Sequence, residues 1–293
     1  MTYIKELDII RFFAFLIVFT SHYFYFFRPK DELTYFFTQG DVGVQIFFVL
    51  SGFLITTILI NEKNQTEKID FKKFYVRRIL RIWPLYFLVV FLGTVLAIIF
   101  GKFDHVHLLS LLTFTSNFSL INDDNFYLPL IILWSIAMEE QYYLIWPALV
   151  FYLKKKQLQI FLFTALILSI WFKYFGTDVW QVAAYHPFSN ILYLALGGLI
   201  ALNSKSLLVT TLTKTSEKLM TFSKISSSKT LLYLGKISYG LYMYHIFALL
   251  IFGNYFISLI FAIVISHFSY KYFEQPIIKA YKARFPTSVE VKS

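Results

Sequence analysis

The stretch "NEKNQTEKIDFKKFYVRRILRIWP", residues 61–84, decides how this chain is laid out. It sets Lys63, Lys68, Lys72, Lys73, Arg77, Arg78 and Arg81 between two apolar runs, Val42 to Ile60 and Trp83 to Phe100. Each run is near the roughly 20 residues that cross a hydrocarbon core, and a basic link between two spans belongs on the cytoplasmic side. Working outward gives further spans at about Leu7 to Phe27, Leu130 to Tyr152, Leu158 to Phe175, Phe188 to Leu202, Leu232 to Phe252 and Tyr255 to Tyr272. The reading is therefore all-α: a polytopic helix bundle of about eight transmembrane helices, within a range of 8–10, with both termini cytoplasmic. That count puts Lys154, Lys155, Lys156, the polar linker Asn203 to Thr230 and the tail from Lys271 on the cytoplasmic side. Only Arg28, Lys30, Lys102 and Lys173 fall outside. The segment "HLLSLLTFTSNFSLI", 107–121, is read as re-entrant or interfacial, because a further span there would turn the lysines at 154–156 outward.

Composition agrees. Of 293 residues, 58% are hydrophobic and 15% charged, which leaves no water-soluble domain of useful size. We expect one integral membrane domain over residues 1–285 and a short cytoplasmic tail at 286–293. The first run is not a cleavable signal peptide, since Arg11 and His22 interrupt it, no small-residue cleavage site follows and more spans come after it. The chain has no cysteine, which excludes thiolate metal sites and a cysteine nucleophile. The net charge of +10 is explained by a basic cytoplasmic face rather than by nucleic acid as a partner. The linker 203–230 reads as a solvated loop with an amphipathic turn around Leu212 to Phe222.

Ionisable residues inside spans are costly and point to function by default. In "RFFAFLIVFTSH", 11–22, eleven residues make close to three helical turns, so Arg11 and His22 share a face about 16 Å apart along the axis. The alternative is that Arg11 snorkels to the interface and His22 caps a neighbouring loop. In "FYVRRILRIWPLY" the i, i+3 pair Arg78 and Arg81 and the i, i+4 pair Arg77 and Arg81 cluster guanidinium groups suited to phosphates. Arginines that only set topology are the alternative. In "LWSIAMEEQYYLIWP" Glu139, Glu140 and Gln141 lie well inside a span, where an unpaired carboxylate costs several kcal/mol. Neighbouring helical residues point about 100° apart, so one glutamate faces a given site, and Glu139 is favoured. It serves proton handling or substrate contact, or else a structural ion pair. In "GKISYGLYMYHIF" Tyr242 and His245 share a face in the upper part of a span. Asp41, entering the second span from outside, lies within plausible reach of His22, or serves as a helix N-cap. No P-loop, HExxH, GxSxG or dinucleotide glycine pattern occurs, and His105, His107, His186 and His267 lack metal-ligand spacing.

Together Arg11 and His22 (R-x10-H), "GVQIFFVLSGFLIT", "RRILRIWPLYF", "WSIAMEEQYYLIWP" and "ISYGLYMYH" followed by "YFEQP" resemble membrane acyltransferase family 3, in the family's order, from about Leu7 to Pro276. The resemblance implies transfer of an acyl group, usually acetyl, from cytoplasmic acyl-coenzyme A to a hydroxyl of a carbohydrate acceptor such as a cell-surface polysaccharide or its lipid-linked precursor. It implies acyl-CoA, acetyl-CoA foremost, as a donor substrate with no bound cofactor, and His22 as the essential histidine paired with Arg11. It implies coenzyme A contacts for Arg78 and Arg81 and an acidic role for Glu139. Tyr242 and His245 are added as substrate contacts, and Asp41 or Glu139 is expected to orient the His22 imidazole. His22 then serves as general base on the acceptor hydroxyl or takes the acyl group transiently. The family usually has ten spans; the shortfall falls between Leu202 and Leu232, and none of the sequence is expected to form the extracytoplasmic hydrolase-like domain that some members carry. The competing function is a proton-coupled transporter or flippase for a glycan or lipid-linked glycan, with His22, Glu139 and Arg11 as a relay.

Overall fold

The computed structural model describes residues 4–28, 40–122, 126–214 and 228–284. Among these there is helix and no strand. The helices are α1 Lys5–Phe27, α2 Asp41–Thr66, α3 Phe71–Ile99, α4 His105–Leu112, α5 Ser116–Asn122, α6 Trp134–Tyr152, α7 Lys155–Phe175, α8 Trp180–Tyr185, α9 Pro187–Lys214, α10 Lys229–Lys236, α11 Ser238–Phe252, α12 Tyr255–Ser269 and α13 Gln275–Arg284. A 3-10 turn, Leu128–Leu133, leads into α6, and a π-helical turn, Tyr270–Glu274, joins α12 to α13.

Among the described residues, six helical stretches are long and apolar enough to cross a membrane: α1, α2, α3, α7, Trp180–Asn203 and Tyr255–Tyr281. The pair α10 and α11 makes a seventh if it is taken as one span, although it bends by 73°. The remaining expected span, α6, has 19 residues and is lined with buried side chains. Glu139, Glu140 and Gln141 lower its apolarity below that of a simple crossing helix. The segment 107–121 is two short helices, α4 and α5, broken at Thr113 to Thr115, where Phe114 has φ +54°. Two other differences concern boundaries. Helix α3 starts at Phe71, so Arg77, Arg78 and Arg81 are helical rather than part of a link, because Asp70 caps the end by accepting from the Lys73 N–H at 2.9 Å. Helix α9 continues past Leu202 to Lys214, into the stretch read as a solvated loop. The amphipathic turn expected at 212–222 falls largely outside the described residues, as does the tail 286–293.

Burial is graded across the bundle. Half of the apolar window of α2 is buried and 44% of that of α1, against 17% for α7 and for the Tyr255–Tyr281 stretch. Phe163, Leu168 and Trp171 on α7 and Phe256 and Ile260 on α12 are exposed large apolar side chains, as expected of a lipid-facing rim. The central contact is α2 against α9, where backbones touch. A Cβ at Gly52 would collide with the Leu194 carbonyl, and one at Gly197 with the Val49 carbonyl. Apolar area drives nothing between helices in lipid, so close approach through small residues does this work. Lys63, read above only as a topology signal, also caps α6. Its Nζ donates to the carbonyls of Val150, Phe151 and Leu153 at 2.8, 2.9 and 3.1 Å, at a helix end whose carbonyls lack intrahelical donors.

Candidate active site

The three polar neighbours on α6 point apart, and each fastens a different element. Glu139 accepts from Ser51 Oγ of α2 at 2.7 Å and from Tyr143 Oη one turn on at 2.8 Å. Glu140 accepts from Trp83 Nε1 of α3 at 3.0 Å. Gln141 donates to the Phe114 carbonyl at 2.8 Å and to Asn117 Oδ1 at 2.9 Å, holding the break between α4 and α5. The 100° step of the helix produces this division. Only Glu139 of the three borders the central cavity.

That cavity, about 100 Å³, gathers cations from three helices: Arg11 of α1, Arg78 and Arg81 of α3, and Lys236 at the end of α10. Glu139 is the one carboxylate among its lining residues. Arg11 also meets Asp8 at 3.3 Å across one helical turn. Arg81 is exposed at the basic end and Arg78 is half-buried, so the cavity runs from a wet mouth inward. The Arg78 guanidinium lies 5.7 Å from the Tyr143 ring and 5.9 Å from that of Phe74, and the same Tyr143 donates to Glu139. Cation, ring and carboxylate thus form one connected unit. Arg77 is not among the lining residues. Lys236 was missed in sequence because it sits just before the 73° bend, which a straight reading of residues 232–252 hides.

At the far end the cavity is closed by Ser135 and Tyr242. Tyr242 Oη and Ser135 Oγ are 2.8 Å apart, and Tyr242 Oη also donates to the Ile132 carbonyl at 3.1 Å. Behind this wall lies the histidine pair. His245 Nδ1 is 2.6 Å from the Tyr242 carbonyl oxygen, and His245 Nε2 is 3.0 Å from His22 Nδ1. His245 is fully buried, with the rings of Phe15 at 6.0 Å and Phe19 at 6.4 Å around it. His22 is half-buried and stacks on Phe26 at 6.0 Å. Neither histidine lines the cavity: Arg11 and His22 share the unbroken helix α1, as read, but Arg11 reaches the cavity while His22 stands beyond Tyr242.

The expected orienting partners of His22 are not the ones present. Asp41 is an exposed residue in the first turn of α2, bordering a separate small cavity with Lys173 and Asn190, and no hydrogen bond joins it to His22. The reason is local packing: Gly40 lies against Ser21 and Gly43 against the Ala14 carbonyl, which fixes the start of α2 beside α1 without aiming Asp41 at the ring. Nor does Asp41 cap its own helix, whose N-cap is Gly40 without a side-chain bond. Glu139 is occupied by Ser51 and Tyr143. Among the described residues no group of three or more His, Cys, Asp or Glu could hold a metal.

Residues 4–215 match a family model described as an acyltransferase domain. The chain belongs to this acyltransferase family. A peptidoglycan O-acetyltransferase of Listeria monocytogenes is 29% identical over 289 residues, covering 70% of this chain and 44% of the relative. An O-acetyltransferase of Staphylococcus aureus is 25% identical over 321 residues, covering 82% of the chain and 53% of the relative. A Bacillus subtilis protein carrying a peptidoglycan O-acetyltransferase name is 38% identical over 158 residues, covering 50% of the chain and 23% of the relative. The chain therefore spans about half or less of the length of these relatives. No solved structure matches it. The match also places the histidine-bearing α1 and the acidic α6 inside the family's domain, while α10 to α13, with Lys236, Tyr242 and His245, lie beyond its end.

Proposed function

We propose that this membrane-embedded acyltransferase moves an acetyl group from an acyl-coenzyme A thioester to a hydroxyl of peptidoglycan, or of a related cell-envelope polysaccharide or its lipid-linked precursor. The observation that carries this reading is the cation excess of a cavity open at the basic end, with an imidazole behind its closed end. Arg78, Arg81 and Lys236 are suited to the phosphates of the donor, since guanidinium forks and an ammonium bind phosphate oxygens with charge-assisted hydrogen bonds. Arg11, paired on one side with Asp8, is the next cation along the path. Glu139 and Tyr143 hold Arg78 in place. His22 is the general base for the acceptor hydroxyl, which approaches from the opposite end. The hydroxyl oxygen attacks the thioester carbonyl as its proton passes to His22, and collapse of the tetrahedral adduct returns that proton to the departing coenzyme A sulfur. The relatives' names support the choice of acetyl and of a glycan acceptor.

The test is acyl transfer in membranes supplied with labelled acetyl-CoA and peptidoglycan, followed by mass spectrometry of the glycan. Wild-type membranes are expected to add acetyl-sized mass, and His22→Ala membranes with equal protein to add none. Turnover by His22→Ala would sink the base assignment, and a wild type that moves acetyl from no thioester would sink the donor.

A further inference from the structure

We infer that His245 is the positioning residue of the site: it fixes the tautomer of His22 so that Nε2 is the base, and it takes the place that a carboxylate fills in other histidine-based sites. The inference rests on the acyl-transfer reading above for its consequence, but not for its geometry. A carbonyl oxygen only accepts, so the 2.6 Å contact between His245 Nδ1 and the Tyr242 carbonyl requires a proton on Nδ1. In the neutral ring that leaves Nε2 of His245 as an acceptor. The 3.0 Å contact with His22 Nδ1 then requires the proton on His22 Nδ1. His22 is thereby left with an unprotonated Nε2, and no hydrogen bond among the described residues uses that atom. Two bonds thus decide which nitrogen of His22 can receive a proton.

The surroundings keep this chain of bonds from rearranging. His245 has no exposed surface, and Phe15, Phe19 and Tyr242 surround its ring at centroid distances of 6.0, 6.4 and 5.5 Å. Its anchor is itself anchored, because the Tyr242 hydroxyl is held by Ser135 and Ile132. No carboxylate hydrogen-bonds either imidazole among the described residues. When His22 Nε2 accepts the hydroxyl proton, the cation formed keeps its Nδ1–H on the His245 Nε2 lone pair. Charge is then shared toward a second ring whose own N–H rests on a carbonyl. The proton leaves again from His22 Nε2 to the thiolate, so the pair ends each turnover as it began.

The experiment compares His245→Gln and His245→Leu with wild type in purified full-length protein, reading kcat and the KM for acetyl-CoA separately, alongside 15N spectra of histidine-labelled wild type. Gln keeps an oxygen that can accept from His22 Nδ1, whereas Leu keeps only volume. Loss of the correct tautomer in a histidine-based site costs up to about 10⁴-fold in kcat. The expected result is a kcat lowered by about 10²-fold or more for His245→Leu, partial recovery in His245→Gln, and donor KM within about threefold in both, in the range removal of an acid–base function costs. A His245→Leu variant with near wild-type kcat, or equal losses in Gln and Leu, overturns the inference. Should His245→Leu fail to fold, the wild-type spectra decide: neutral His22 must show a protonated Nδ1 and an unprotonated Nε2, and the reverse pattern overturns it. An inactive His22→Ala with a fully active His245→Leu rejects the positioning role alone, whereas an active His22→Ala rejects the base.

Discussion

The two ends of the site are built on opposite principles. The end near the basic link is electrostatic: Arg11, Arg78, Arg81 and Lys236 face one cavity with a single carboxylate, Arg78 lies over the Tyr143 ring and Arg11 meets Asp8. The other end is a chain of short hydrogen bonds through two imidazoles to a carbonyl, packed among Phe15, Phe19 and Phe26, with no formal charge required. The first suits a ligand that is highly charged and must come and go. The second suits a proton that must be taken by one defined atom. On the proposed function the difference assigns donor binding to one end and proton transfer to the other, so damage to one end should leave the other's signature intact.

The largest effect is expected from the chemical end. His22→Ala should lower kcat by at least about 10²-fold, the usual contribution of a general base, with donor binding preserved. Measured donor affinity that falls in parallel would erase the distinction between the two ends. Next, Arg78→Ala combined with Arg81→Ala should raise the donor KM by tenfold or more, since each charge-assisted hydrogen bond is worth about 1.5–3 kcal/mol, while kcat at saturation changes little. A kcat effect as large as that of His22→Ala would show the ends to be one unit. A third substitution, Gly52→Val, touches neither end but the α2–α9 seam that spaces them. It should destabilise the protein by about 1–3 kcal/mol, read as a lower thermal midpoint in detergent, through backbones forced apart.

The smallest effect is a control outside both regions and outside the membrane-spanning segments. Asp104 caps α4 by accepting from the His107 and Val106 N–H groups, and these bonds, His107 first, hold its carboxyl below the ordinary carboxylate range against the opposing effect of desolvation. A carboxylate with a depressed native pKa contributes stability that is full above its unfolded value, about 3.9, and is lost as pH falls through the native one. The thermal midpoint of Asp104→Ala should therefore lie slightly below wild type at neutral pH, and the gap should close on acidification. A gap that widens in acid would contradict the cap.

Most of the fold was legible because apolar length and basic links are one-dimensional signals. The ends of α1 and α7 and the start of α2 lie within a few residues of those read from the sequence, although α2 runs on six residues past Ile60 to Thr66. Helical rotation showed that only one of Glu139 and Glu140 faces a given site, and Glu139 is the one that lines the cavity. What escaped were features made by two distant segments. The 223-residue separation of His22 and His245 gives no local sign of a bond, so a carboxylate, the commoner orienting group, was expected instead. Asp41 was read as within reach of His22, but no hydrogen bond joins them, because the contact of Gly40 with Ser21 settles where α2 begins. Lys236 and the 73° bend were hidden inside a run that hydropathy reads as one straight span.

The fastening of α6 has a consequence for how such chains can change in length. Three successive side chains, Glu139, Glu140 and Gln141, serve α2, α3 and the α4–α5 break in fixed rotational order. One residue inserted between Trp134 and Glu139 would turn every one of them by about 100° and hand each neighbour the wrong partner. Substitutions here can be absorbed one contact at a time, but insertions and deletions cannot. Variation in length is thus expected only in stretches that no such rotational register controls.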